Sequence, residues 1–263
     1  MMALAKTITL LVCLLGTAGG TSGGTSGANC IPRPRSVTFT PRSAASIFTA
    51  RTPPPMVDWR AHGAVTPVMD QGVLGSCWAI STAGAMEGLH KIRSGRLVRL
   101  SSQQIYDCSN KSMIESHLRA YDWVLRNGGV ASEETYPYVD RVQDCKREKL
   151  HMISASITSF VWTIRTEQEL LLAVSQQPVT VKMSVEPASF LNYTGGIFSG
   201  PCGQAGHSML AVGYGALADG RKYWILKSSY GVHWGDHGYF YVQRGPGHDA
   251  GLCGIANYAA HPV

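Results

Sequence analysis

Charged side chains are scarce in this chain. Asp, Glu, Lys and Arg make up 15% of 263 residues, where a soluble domain usually carries about a quarter. With 29 glycines and 13 prolines punctuating the chain, this scarcity argues against a long coiled coil or a helical solenoid. Runs of one charge are missing as well. The net charge of +6 comes from scattered Lys and Arg, so no basic arm marks a nucleic-acid partner. Long apolar runs are absent too: residues 8–15 form a stretch about half the roughly 20 residues that span a membrane, and no membrane partner is expected. Zinc-site spacing is lacking, since His233 and His237 stand four apart without a Cys pair or third ligand; neither a metal nor a cofactor is expected. What the chain does have is apolar material, 44% of its residues, which excludes disorder over most of it. Its length suits one large domain or two small ones.

Lys6, the apolar stretch 8–15 and the small residues Ala18, Gly19 and Gly20 read as a secretory signal peptide over residues 1–20. The alternative, a signal anchor, is disfavoured because the Gly/Ser/Thr-rich residues 16–27 cannot extend an apolar helix. The secretory route permits disulfides. Two N-x-S/T triplets, at Asn110 and Asn192, fit that route but arise by chance often enough to count only as support. Of seven cysteines, Cys13 leaves with the signal peptide and Cys30 lies in a Gly/Pro-rich stretch. The body keeps Cys77, Cys108, Cys145, Cys202 and Cys253, an odd number that leaves one thiol outside any bridge.

Residues 21–55 show neither helical nor strand periodicity and end in Pro53-Pro54-Pro55, a stiff connector. The folded body is expected to start near Val57. Helix formers dominate 76–94, with Gly95 as C-cap. Ser101 with Gln104 reads as a capping box opening a second helix, residues 118–125 as a third, and Thr166 with Glu169 as the capping box of a fourth. Residues 179–185 alternate strictly, with apolar side chains at 179, 181, 183 and 185, which predicts a strand with one buried face. Residues 209–214, 222–227 and 239–243 follow as strands between glycine-containing loops. The outcome is α+β: a helical half, then an antiparallel sheet or barrel, with a cleft between them.

The segment Gln71-Gly72-Val73-Leu74-Gly75-Ser76-Cys77-Trp78 puts a cysteine at a helix start, where unpaired N–H groups and the positive end of the dipole stabilise a thiolate. A small buried cysteine is the bland alternative for that fact taken alone. Around it stand Val57-Asp58-Trp59-Arg60, Gly63-Ala64-Val65-Thr66-Pro67-Val68 and, later, Val212-Gly213-Tyr214-Gly215. Together these strongly resemble the papain-like cysteine peptidases, the plant papain and cathepsin L-like group, over residues 57–263. The resemblance implies Cys77 as nucleophile, His207 as its acid–base partner and Gln71 as a donor to the oxyanion. It implies bridges Cys108–Cys145 and Cys202–Cys253, one of three connectivities that four cysteines allow. It also implies the papain-like two-domain fold, with a helical domain at 56–160 carrying the nucleophile and a β-rich domain at 161–263 carrying the histidine.

The chain departs from the family pattern in several places. Lys227-Ser228-Ser229-Tyr230-Gly231 stands where the family has Lys-Asn-Ser-Trp-Gly, so Ser228 replaces the asparagine that orients the imidazole. A hydroxyl accepts the same bond from a shorter stem, and needs a water or a shift to reach. The half-cystine before the nucleophile is Leu74 here, and its partner segment corresponds to residues 112–115, where Ile114 and Glu115 crowd a substrate-binding wall that the family builds from glycines. Residues 21–55 are too short for the family's prosegment of about a hundred residues, so a very short or missing prosegment is expected.

Lys182, Ala205, Gly206, Ser208, Trp234 and Tyr258 are the further substrate-binding candidates, of which the resemblance places Lys182, Ala205, Ser208 and Tyr258 near the pocket that reads the side chain two residues before the cut. Lys182 would favour an acidic or polar side chain there; a solvated lysine on a sheet edge is the equal alternative. The reading is a cysteine endopeptidase of reduced activity, a monomer acting on protein or peptide substrates, with cystatin-like inhibitors as further partners, extracellular or vacuolar/lysosomal. Its rival is an impaired relative that binds peptides or inhibitors.

Overall fold

The computed structural model describes residues 52–109, 117–245, 247 and 249–263. The signal-peptide reading, the linker up to residue 51, Cys30, the Asn110 triplet, and Ile114 with Glu115 lie outside the described residues; at the linker's end the Pro54 carbonyl accepts from the Tyr214 hydroxyl at 3.0 Å.

Helix α1, Cys77–Ser94, is buried continuously from Trp78 to Leu89 and ends on Gly95 in the left-handed conformation, whose N–H bonds the Lys91 carbonyl. A stretch apolar or small on every side but for the hydrogen-bonded Glu87 belongs in an interior. Gly84 sits within it because a Cβ there would stand 2.8 Å from the Leu210 side chain; the helix accepts a costly residue so that a strand can approach. Helices α2, Ser102–Cys108, and α3, His117–Asn127, pack beside α1. Only half of the capping box expected at Ser101 forms. Ser101 Oγ accepts from the Gln104 N–H, but the Gln104 amide turns away to donate to the part-buried Lys149 carbonyl and to accept from Ala131 N, a buried backbone group with stronger need of it. Helix α4, Glu167–Val174, has the full reciprocal box between Thr166 and Glu169.

The main sheet runs β1 (Val57–Asp58), β5 (Ala205–Ala216), β6 (Lys222–Lys227), β7 (Tyr239–Arg244), β4 (Ile197–Phe198), with β3 (Val179–Val185) also paired to β5. All these pairs are antiparallel except β4–β7, which is parallel and corrects the wholly antiparallel expectation. A second, two-stranded sheet joins β2 (Phe160–Val161) to β8 (His261–Pro262). Strand β3 buries more than one face: Thr180 is fully buried beside the alternating valines and methionine because its hydroxyl bonds the Ser81 carbonyl and the Tyr121 hydroxyl. Strand β5 is the shared wall. Its Met209 and Ala211 belong to the core of the β-rich side, while Leu210 and Val212 belong to the core packed on the helices.

Both implied bridges form, Cys108–Cys145 and Cys202–Cys253. A buried polar chain also links helices to sheet: Lys227 donates to Thr66 (3.0 Å), Thr66 donates to Glu87 (2.6 Å), and Glu87 accepts from Leu100 N. Burial pushes the Lys227 ammonium down to about 8.

Candidate active site

Cys77 opens α1, whose first N–H groups lack intrahelical acceptors. It keeps its thiol, since the other four cysteines among the described residues are bridged. The loop before it is heavily tied. Gln71 N donates to the Ser229 carbonyl (2.7 Å), and Gln71 Oε1 accepts from Ser229 Oγ (2.7 Å). With its oxygen held there, the glutamine's N–H₂ group is turned the opposite way.

The segment after β6 is the hub. Ser228 and Ser229 line a cavity of about 10 Å³ together with Cys77, Ser81 and Ser208. Tyr230 stacks on His207, with ring centres 4.9 Å apart and planes within 8°. Burial, and then the sulfur of Cys77, push the Tyr230 phenol above its ordinary range. Cys77, Gln71, His207 and Ser228 are therefore brought to one place by three consecutive residues, 228 to 230.

His207 is 6% exposed. Phe190 lies against it at 5.0 Å, and Trp234 packs on Phe190 and Tyr230. Trp234 thus belongs to the aromatic wall of the imidazole. Burial pushes His207 down to about 4, because the apolar wall disfavours the charged ring. Neither His207 Nε2 nor Ser228 Oγ has a hydrogen-bond partner among the described residues.

The other substrate-binding candidates gather beside this centre. The Lys182 ammonium lies 5.8 Å from the Tyr258 ring centre, and a Cβ on Gly206 would stand 2.3 Å from Lys182 Cε. Lys182 is paired with Ser208 in register, so its side chain shares a face with Gly206 and Ser208 next to His207. It is not on an open sheet edge: β3 pairs β5 on one side and meets Ala260 and Cys202 through bridges at Thr180 and Val185. Ala205 and Gly206 are exposed, Ser208 is buried and Tyr258 is 57% exposed.

Sequence reasoning missed Phe190, Ser229, Tyr138, Asp140 and His117. His117 is 1% exposed at the start of α3, and burial, with Lys182 nearby, pushes it down to about 4. A folded value below the unfolded one of about 6.5 means that the unfolded chain binds the proton first as pH falls. Stability is therefore full above pH 6.5 and is lost between about 6.5 and about 4. For His117 the loss is roughly 3 kcal/mol. Urea unfolding of wild type and His117→Asn at pH 7 and pH 4.5 tests this: the wild type is expected to lose more stability than the variant between the two pH values, and equal losses would refute it.

A helix-initial thiol and a buried imidazole that share Tyr230 as a neighbour, on a mainly antiparallel sheet covered by helices, put the molecule in the papain-like α+β class. Residues 53–263 match the family model for papain family cysteine protease, and the chain belongs to that family. Cysteine endopeptidase RepA of Oryza sativa subsp. japonica is 43% identical over 217 residues, covering 80% of this chain and 57% of RepA. Vignain of Phaseolus vulgaris is 37% identical over 244 residues, covering 89% of this chain and 67% of vignain. The chain thus spans a little over half to about two thirds of those relatives. Among solved structures, the bromelain protease from Ananas comosus in complex with the E64 inhibitor is 39% identical with a TM-score of 0.75, over 80% of this chain and 98% of that one.

Proposed function

We propose that the chain is a cysteine endopeptidase in which the Cys77 thiolate attacks the scissile carbonyl and His207 protonates the departing amine. The negative oxygen that forms is met by the Gln71 amide and the Cys77 backbone N–H. The observation that carries this reading is the convergence of all these groups on residues 228 to 230, with Gln71 oriented by Ser229 and His207 by Tyr230. A binding module freed of chemistry has no need to hold a glutamine amide in one orientation beside a helix-initial thiol. Activity is reduced, because no acceptor among the described residues meets His207 Nε2. The deciding experiment is labelling of the folded protein with a papain-directed epoxide, comparing wild type with Cys77→Ala and His207→Ala. Labelling lost in both variants supports the reading; a folded wild type that takes no label favours the peptide- or inhibitor-binding alternative.

Substrates in this reading are proteins or peptides, and an acidic side chain is favoured where Lys182 stands beside Gly206. Lys182 is half-buried, which strengthens its attraction for a carboxylate relative to a solvated lysine. Peptides differing only in Glu against Leu two residues before the cut are expected to show a Glu preference that Lys182→Met reduces about tenfold; a preference unchanged by the substitution removes Lys182 from specificity. The two disulfides fit a route through the secretory pathway to an extracellular or vacuolar/lysosomal site, and the exposed Asn192 suits glycosylation along it.

A further inference from the structure

We propose that Asp140 is a positioning residue for the nucleophile loop, and that its carboxylate holds in place the backbone leading to Cys77. Where the family resemblance implies a half-cystine, this chain has Leu74, whose backbone N–H donates to Asp140 Oδ1 at 3.0 Å. The neighbouring Val73 N–H donates to Oδ2 at 3.3 Å. Val73 is 93% exposed, so no packing of its own side chain fixes this stretch. Bonds from backbone N–H to a carboxylate are among the stronger ones available.

The carboxylate is aimed by its own surroundings. Asp140 has φ +49°, a left-handed conformation that Asp tolerates better than most residues. Buried Gln103 of α2 brackets it, accepting from Val139 N (3.1 Å) and donating to the Arg141 carbonyl (3.0 Å). Cys145, five residues on, is bridged to Cys108 of the same helix. Gly72 is shaped to receive the group: it has φ +53°, and a Cβ there would fall 1.9 Å from Asp140 Oδ2. Two residues back, Tyr138 Oη donates to the Gln71 carbonyl (2.7 Å) and lies 2.7 Å from Ser76 Oγ. Residues 138–140 therefore hold the loop from the oxyanion glutamine to the residue before the thiol, a task that a covalent bridge at position 74 would otherwise perform.

This inference rests on the peptidase reading for its kinetic consequence, because donors displaced by even an ångström lose much of their effect. Asp140→Gly keeps the backbone freedom and removes the carboxylate; Asp140→Asn keeps one acceptor. At a temperature well below melting, Asp140→Gly is expected to lower kcat about tenfold with KM within about twofold, and Asp140→Asn to recover most of the loss. Hydrogen exchange gives a readout independent of activity: the Val73 and Leu74 amides exchange slowly in wild type and about tenfold faster in Asp140→Gly. A lower melting temperature with unchanged kcat would make Asp140 merely structural and overturn the proposal, as would amides that exchange at the wild-type rate in Asp140→Gly. Failure of the wild type to turn over or to label would sink the peptidase reading instead, and the exchange result would still decide whether the clamp exists.

Discussion

Cys77→Ala is expected to lower peptide hydrolysis by about 10⁵-fold, to the level of background, and His207→Ala to do nearly the same. The reasoning is that the two act as one unit. A thiol without its base is a weak nucleophile at acidic pH, and a base without the thiol has nothing to activate. Their losses should therefore not add: the double variant is expected to be no slower than the worse single one. Both variants should fold. Cys77 is half-buried at a helix start, where alanine is accepted, and removing an imidazole whose Nε2 has no partner among the described residues breaks no bond at that atom. Melting temperature measured beside turnover separates chemistry from folding. Hydrolysis surviving in Cys77→Ala at more than a thousandth of the wild-type rate would mean that another group attacks the substrate, and the assignment of Cys77 would fall.

The elements that could be read from the chain are those whose signals are local. The helix ending at Gly95, the capping box of Thr166 with Glu169 and the strand at β3 each depend on residues a few positions apart, and each forms, although β3 also buries Thr180 on the face expected to be open. The candidate site residues Cys77, His207, Gln71 and Ser228 were legible for a different reason: motifs in a fixed order carried a family resemblance, and with it both disulfide pairings. What stayed hidden depends on contacts between distant parts. Gln104 was expected to cap its own helix, but the buried amide of Ala131 claims it. Asp140 reaches a loop 66 residues away in sequence, and Phe190 finds His207 only because α5, Pro187–Leu191, folds back on β5. No period or spacing announces such meetings. The parallel pairing of β4 with β7 is equally silent, as a two-residue strand has no alternation to read.

Ser228→Asn is expected to make the enzyme faster, raising kcat/KM by about 10 to 10²-fold. Ser228 Oγ and His207 Nε2 are both buried and both without a partner among the described residues, so the serine is not holding the ring. Stacking on Tyr230 fixes the plane of the imidazole but not which nitrogen carries the proton. An amide carbonyl at 228 would accept from Nε2–H, leaving Nδ1 as the basic atom. The cavity beside Ser228 has room for about one water-sized group, which is roughly what the longer amide requires. The same bond should move the pH profile. Burial alone pushes His207 down to about 4, and an acceptor on Nε2–H favours the charged ring and pulls the value back up. The imidazolium then persists to higher pH, so the alkaline limb of kcat/KM shifts upward in Ser228→Asn. Ser228→Ala, by contrast, should stay within about threefold of wild type, because it removes a hydroxyl that makes no bond to the ring. If alanine proves as damaging as the loss of a general base, the serine does orient His207 in solution, and the reduced activity proposed for this chain loses its physical cause.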